Sequence, residues 1–228
     1  MTKKRYVTIL FFRTMGNALI VAALLWLVYS FYPVLKAELF YQLDKARGVQ
    51  REISVTEIPP EPPKTSFGEI LKKPKPLTLT PVSQDFGIVI PKINANSQVI
   101  ADVDPGNYNE YSQKLLKGIG HAKGTVLPGE VGNCYLFSHS VGNPWDVPRY
   151  NAQFWLLSEL QADDMVFVFF EGKQYDYKVV EKTVVEAKDT SWLNAIYHEP
   201  TLTLQTCDPP GTTWRRLIVI AKLVARDE

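Results

Sequence analysis

Cysteine is nearly absent from this 228-residue chain: Cys134 and Cys207 are the only two. Two thiols cannot frame a fold, so a disulfide scaffold is excluded and stability must come from an apolar core. A dominant charge is missing as well. Lysine and arginine number 25 against 24 aspartates and glutamates, a formal net charge of +1. Binding a phosphate backbone needs a concentrated basic surface, so this balance gives no ground for a nucleic-acid partner. Histidine is limited to His121, His139 and His198, and no C-x-x-C or H-x-x-x-H spacing makes a zinc pattern. No metal or other cofactor is expected, and the sequence is silent on calcium. What is there, 46% hydrophobic and 21% charged residues, is ordinary globular composition with room for one domain and an addition.

The addition stands at the N-terminus. Thr14 to Leu35 carry no charge and include the run ALIVAALLWLVYSFY. At about 1.5 Å per residue this stretch crosses a hydrocarbon core of roughly 30 Å. Lys3, Lys4, Arg5 and Arg13 precede it without an acidic residue, which puts residues 1–13 in the cytoplasm. Trp26, Tyr29 and Tyr32 fall where an aromatic belt meets the outer interface. A cleaved signal peptide would need a small-x-small site, and YSFYPVLKAELF offers none. A buried core helix would show a polar face, and this segment has almost none. The expectation is a single-pass anchor over 14–35 in the cytoplasmic membrane, with the remainder extracytoplasmic.

Residues 36–83 read as a stalk. AELFYQLDKAR has helical spacing and can prolong the anchor helix, but seven of the sixteen prolines then fall between Pro59 and Pro81. That density favours extended chain over a packed core. The folded domain is expected over 84–228. FGIVIPKI, NSQVIADV and NCYLFSHS read as strands, and DMVFVFFEG with KQYDYKVVEKTVVEA reads as a pair turning at Glu171-Gly172-Lys173. TLTLQTC and RRLIVIAKLVA add two more, joined by DPPGTTW. RYNAQFWLLSEL, with Phe154, Leu157 and Leu160, reads as a short helix, and LLKGIGHAKGTVLPGEVGN as turn-rich connection. Short strands with turn punctuation predict a mostly β domain, closed or nearly closed into a barrel.

Cys207 ends an alternating strand and meets Asp208-Pro209-Pro210-Gly211, through which no strand continues. Alternation sends Leu202, Leu204 and Thr206 to one face, and Thr201, Thr203, Gln205 and Cys207 to the other, more polar one. A thiol there is reachable from solvent; the plainer alternative is a small buried hydrophobe. His139 also ends a strand and enters a turn-rich stretch, SVGNPWD. If the two strands are neighbours, thiol and imidazole meet as nucleophile and base. Cys134 lies five residues before His139 and so faces the opposite side, which marks it as a packed residue. A Cys134–Cys207 disulfide would disable the thiol and is not expected. Arg215 and Arg216 begin the next strand, one to each face, and a guanidinium beside an attacked carbonyl stabilises the oxyanion.

Thr203-Leu204-Gln205-Thr206-Cys207 resembles the sortase signature T-L-x-T-C, with Arg216 nine residues on and directly before LIVIA. GNCYLFSHS resembles the sortase segment G-N-x-x-x-x-x-H, and FWLLSELQADDMVFVFFEGKQYDYKVV the pattern F-x-x-L-x-x-L-x-x-G-D-x-V with its Y-x-Y strand. Ser138 stands where many members have glycine, and Asp163 takes the glycine position of the Gly-Asp pair. The resemblance spans Phe86 to Val224. It implies an eight-stranded closed barrel with short helices after one transmembrane helix. It also implies a cysteine transpeptidase with Cys207 as nucleophile, His139 as acid and base, Arg216 at the oxyanion, and Thr203 and Thr206 in substrate binding. His121, in GIGHAKGT, is expected to be structural. The implied substrates are an LPxTG-like sorting signal and an amine acceptor, a cell-wall precursor peptide or a pilin lysine. A housekeeping-like role is expected over pilin polymerisation. An L,D-transpeptidase, a hydrolytic relative and a non-enzymatic β-domain are the alternatives, the last predicting a buried, inert Cys207.

Overall fold

The computed structural model describes residues 3–53, 77–138 and 154–225. It opens with one long helix, α1 (Lys3–Arg47). Arg5–Tyr32 within it has mean hydropathy 1.8, and almost all of its residues before Ser30 are exposed. An exposed apolar cylinder of this length reads as a membrane anchor. Burial begins at its far end. Ser30, Val34 and Tyr41 are buried and Ala37 packs on the core, one stripe spaced i, i+4, i+7 and i+11.

The expected stalk therefore differs in its described parts. Residues 36–47 remain helical and lie on the folded domain, where the Tyr41 hydroxyl donates to Glu159 at 2.9 Å. Burial and that carboxylate push the Tyr41 phenol up to about 12. Arg51 pairs with Asp44 and donates to the Pro91 carbonyl, and β1 (Arg51–Ile53) runs parallel to β2 (Leu77–Leu79). The proline-rich stretch over 54–76 lies outside the described residues.

Eight strands close a barrel: β3 (Phe86–Ile90), β4 (Ala95–Val103), β5 (Ile119–Ala122), β6 (Gly132–Phe137), β7 (Met165–Phe170), β8 (Lys173–Glu186), β9 (Pro200–Asp208) and β10 (Arg215–Leu223). Their order around it is β10-β8-β7-β3-β4-β5-β6-β9, closing on β10. Closure removes the edges on which an open sheet would aggregate. β4–β5 and β6–β9 are parallel and the other neighbours antiparallel. The β7–β8 turn falls at Glu171-Gly172, both at positive φ (49° and 75°), as a tight hairpin requires.

Two connections differ from expectation. The glycine-rich stretch holds β5, the strand that completes the ring, and before it stands a helix, α2 (Tyr108–Leu115), capped by the Asn107 side chain on the Glu110 amide. Where a short helix was expected near residue 157, the described residues form a single 3-10 turn, Leu157–Glu159. Phe154, Leu157 and Leu160 are nonetheless fully buried in the main core.

That core fills the barrel with inward residues such as Ile88, Leu136, Val168, Leu202, Leu204 and Val219. A second cluster lies outside it, where Leu115 of α2 covers Tyr135 and Phe137 of β6. Gly120 permits this approach, since a Cβ there would come within 3.0 Å of Leu115 and 3.1 Å of Phe137.

Candidate active site

The parallel pairing of β6 with β9 organises the site. Asn133, Tyr135 and Phe137 face outward from β6, and Thr203, Gln205 and Cys207 face outward from β9, so two polar rows run side by side. The Thr203 hydroxyl donates to Asn133 Oδ1 at 2.7 Å, and the Tyr135 hydroxyl donates to Gln205 Oε1 at 2.5 Å. The Ser138 amide then donates to the Gln205 carbonyl at 3.1 Å. Cys207 follows at the open end of this ladder, half-buried rather than enclosed.

Arg216 is its cross-strand partner: in the β9–β10 ladder residue 216 pairs directly with residue 207, and 215 with 208. Direct partners put their side chains on one face. Arg215 takes the other face, where its exposed side chain forms an ion pair at 2.8 Å with the largely buried Asp208. Arg216 commits one guanidinium nitrogen to the carbonyls of Thr213 (3.2 Å) and Arg215 (3.1 Å), which fixes the head of the side chain at the β10 start.

Both residues line a cleft of about 190 Å³. Its floor is the β6–β9 ladder (Tyr135, Phe137, Gln205). One wall is Pro105 with Tyr111 and Leu115 of α2, and the other is the β8–β9 loop with Ala187, Asp189, Thr190 and Leu193. Tyr111 feels the fields of both Arg216 and Cys207. Burial and the neighbouring Tyr108 raise its phenol, and the Arg216 cation opposes them. Burial likewise raises the Tyr135 phenol against the same cation. Asp189 is held below the usual carboxylate range by hydrogen bonds from the Ser191 hydroxyl and amide.

The remaining expected residues fall as follows. Thr206 lines the cleft, yet its hydroxyl is buried without a partner among the described residues. Thr203 is fully buried with its hydroxyl committed to Asn133, so the expectation of direct substrate contact gives way to a role beneath the cleft. His139 lies outside the described residues, and the last described residue before it, Ser138, is a cleft residue.

Cys134 is 1% exposed inside the barrel, and burial pushes its thiol up to about 12. Both cysteines are free. Cys134 pairs with Leu202, five residues from Cys207 and about 17 Å along the strand, well beyond the roughly 7 Å Cα limit of a disulfide. His121 is buried against the Phe86 ring, its Nε2 3.1 Å from the Val126 carbonyl and 3.0 Å from Thr125 Oγ1. Burial lowers its pKa, and it is not among the cleft-lining residues.

Sequence reasoning missed the two walls. Tyr111, Asp189, Thr190 and Leu193 reach the cleft through loop and helix docking, which no local pattern announces. Gln205 and Tyr135 had a signal: Gln205 shares the Cys207 face by alternation, and Tyr135 lies on the neighbouring strand.

The comparisons agree with this geometry. The sortase domain family matches residues 88–224, more than half of the chain. Sortase D of Bacillus subtilis (strain 168) is 28% identical over 145 residues, 62% of this chain and 65% of that relative, so just under two thirds of its length is spanned. Among solved structures, sortase C-1 from Actinomyces oris is 29% identical with a TM-score of 0.52, covering 64% of this chain and 76% of that one. A lid mutant of sortase A from Corynebacterium diphtheriae is 28% identical with a TM-score of 0.52, covering 64% and 72%. A closed barrel, a strand-end cysteine facing an arginine and a match across nearly the whole barrel lead to one statement: the chain belongs to the sortase family.

Proposed function

We propose that this protein is a membrane-anchored cysteine transpeptidase that cleaves an LPxTG-like sorting signal and joins the acyl part to an amine. The observation that carries the reading is the direct cross-strand pairing of Cys207 with Arg216 at the open end of a cleft. In the first half-reaction the Cys207 sulfur attacks the threonine carbonyl carbon. The C–N bond breaks, His139 gives its proton to the departing glycine amine, and a thioester remains. In the second, the acceptor amine attacks the thioester, His139 takes its proton, and the thiolate leaves. Arg216 faces the carbonyl oxygen as charge builds there. Thr206 lies along the cleft beside the bound peptide. Calcium is assigned no part.

The acceptor class is an amine of a cell-wall precursor peptide or a pilin lysine. The relatives are named as sortases D, C-1 and A, and no one of these classes is singled out. Lys3, Lys4, Arg5 and Arg13 support an N-terminus inside the cell, with the barrel at the outer face of the cytoplasmic membrane. The half-exposed Cys207 weighs against a non-catalytic domain, which required a buried thiol.

Intact-mass measurement with a panel of LPxTG-like peptides tests the reading. Wild-type protein is expected to gain the mass of the peptide up to its threonine, and Cys207→Ala to gain nothing. An adduct on the alanine variant, or none on wild type with any peptide, would sink it.

A further inference from the structure

The β8–β9 loop forms a whole wall of the cleft, yet regular strand pairing does not hold it. Regular pairing leaves β8 at Glu186 and resumes on β9 at Pro200. Toward its far end the loop is held by Tyr197 on the Thr203 side chain and by Glu199 on Lys222; its middle is held from β6. The Asn133 side-chain amide nitrogen donates to the Trp192 carbonyl at 2.9 Å and approaches the Leu193 carbonyl at 3.4 Å. Its oxygen accepts the Thr203 hydroxyl at 2.7 Å. The loop carbonyls settle which way the amide points, because they can only accept: the NH2 turns to the loop and leaves the oxygen to the Thr203 hydroxyl. Asn133 is buried and Thr203 fully so, hence the bond between them is shielded from competing water, and the bonds to the loop are partly so. Trp192 and Leu193, the residues gripped, pack on the outer cluster with Tyr135 and Phe137, and Leu193 lines the cleft itself.

We propose that Asn133, oriented by Thr203, is the positioning residue that fixes the β8–β9 loop as the wall against which the peptide is gripped. This rests on the transpeptidase reading of the same cleft. Neither side chain touches the reacting atoms. A wall held in place beforehand spares the bound state the cost of ordering it, so the pair acts on peptide affinity rather than on the bond-making step.

The test uses the full-length protein in detergent. Asn133→Asp keeps the acceptor for Thr203 and removes the donor to the loop. Thr203→Val removes the orienting hydroxyl, and Thr203→Ser restores it. Hydrogen exchange over residues 187–199, measured without substrate, is expected to quicken in Asn133→Asp and Thr203→Val and to stay at wild-type rates in Thr203→Ser. Exchange across β3, β4 and β7 should not change. With peptide, KM is expected to rise about 5–30-fold in the first two variants while kcat stays within about twofold, the scale of one lost buried tether. Unchanged loop exchange in both variants would overturn the proposal. Faster exchange throughout the barrel would do so too, as would a fall in kcat at constant KM. Quickened loop exchange in a protein whose wild type acts on no peptide would support the tether while removing the transpeptidase reading.

Discussion

Strands β6 and β9 lie side by side, and their two faces carry opposite chemistry. The inner face holds Cys134, Leu136, Leu202 and Leu204, each at most 1% exposed. The outer face holds Asn133, Tyr135, Thr203, Gln205 and Cys207, linked in pairs by hydrogen bonds and ending in a half-exposed thiol. One ladder thus gives the same element, a cysteine sulfur, two fates. Without water or a nearby cation, burial keeps the Cys134 thiol protonated. At the strand end, paired in register with Arg216, the other is half-exposed. Residue type alone decides nothing here; the face does.

Substitutions on each face can break this contrast. Cys207→Ala is expected to abolish thioester formation and leave the thermal midpoint within a few degrees, since a half-exposed end residue contributes little packing. Leu204→Ala, on the inner face one turn of the ladder away, should do the reverse. It removes ~2–5 kcal/mol of stability by chemical denaturation, with kcat unchanged where the protein remains folded. A catalytic loss in that variant larger than its loss of folded protein would blur the two faces.

Arg216→Ala should cost ~2–4 kcal/mol of transition-state stabilisation, read from kcat/KM. Arg215→Ala removes an ion pair whose arginine side is exposed and, lying on the other face, should cost under ~1 kcal/mol in kcat/KM. The opposite ranking would mean that the pairing register does not predict which arginine serves the thiol.

Cys134→Ser buries a hydroxyl among aliphatic side chains and should cost ~1–3 kcal/mol of stability with activity retained. Its thiol also sets a pH signature. The folded pKa, about 12, lies above the unfolded value of about 8.5, so the contribution is full below the latter and is lost as pH rises toward the former. Tyr41→Phe removes the hydrogen bond to Glu159 and should cost ~1 kcal/mol of stability.

Much of this contrast was legible because alternation is strict in a strand. A period of two sets Cys134 on the face opposite His139, puts Cys207 on the face of Thr203 and Gln205, and separates Arg215 from Arg216, before any coordinates are known. β5 was hidden for a physical reason. IGHA is short and flanked by Gly118 and Gly124, which read as turn punctuation, and pairing on both sides stabilises it in a way local sequence does not express. The Phe154–Leu157–Leu160 stripe was correctly apolar, but its burial is achieved by a turn folded onto the barrel instead of a regular helix. Helical spacing after Lys36 was legible, but the docking of residues 36–53 on the barrel was not. The Tyr41 and Arg51 contacts that dock this segment are made to residues 40 to 118 positions away. Thr203 shows the same limit: the motif marks the residue, and only the structure shows it buried with its hydroxyl on Asn133.

Peptide-mapped alkylation of the folded, full-length protein tests the division of faces most directly. Iodoacetamide at mildly alkaline pH is expected to label Cys207 while Cys134 stays unmodified until denaturant is added. Labelling of Cys134 in the folded protein at a rate matching Cys207, or a Cys207 silent until unfolding, would contradict the account.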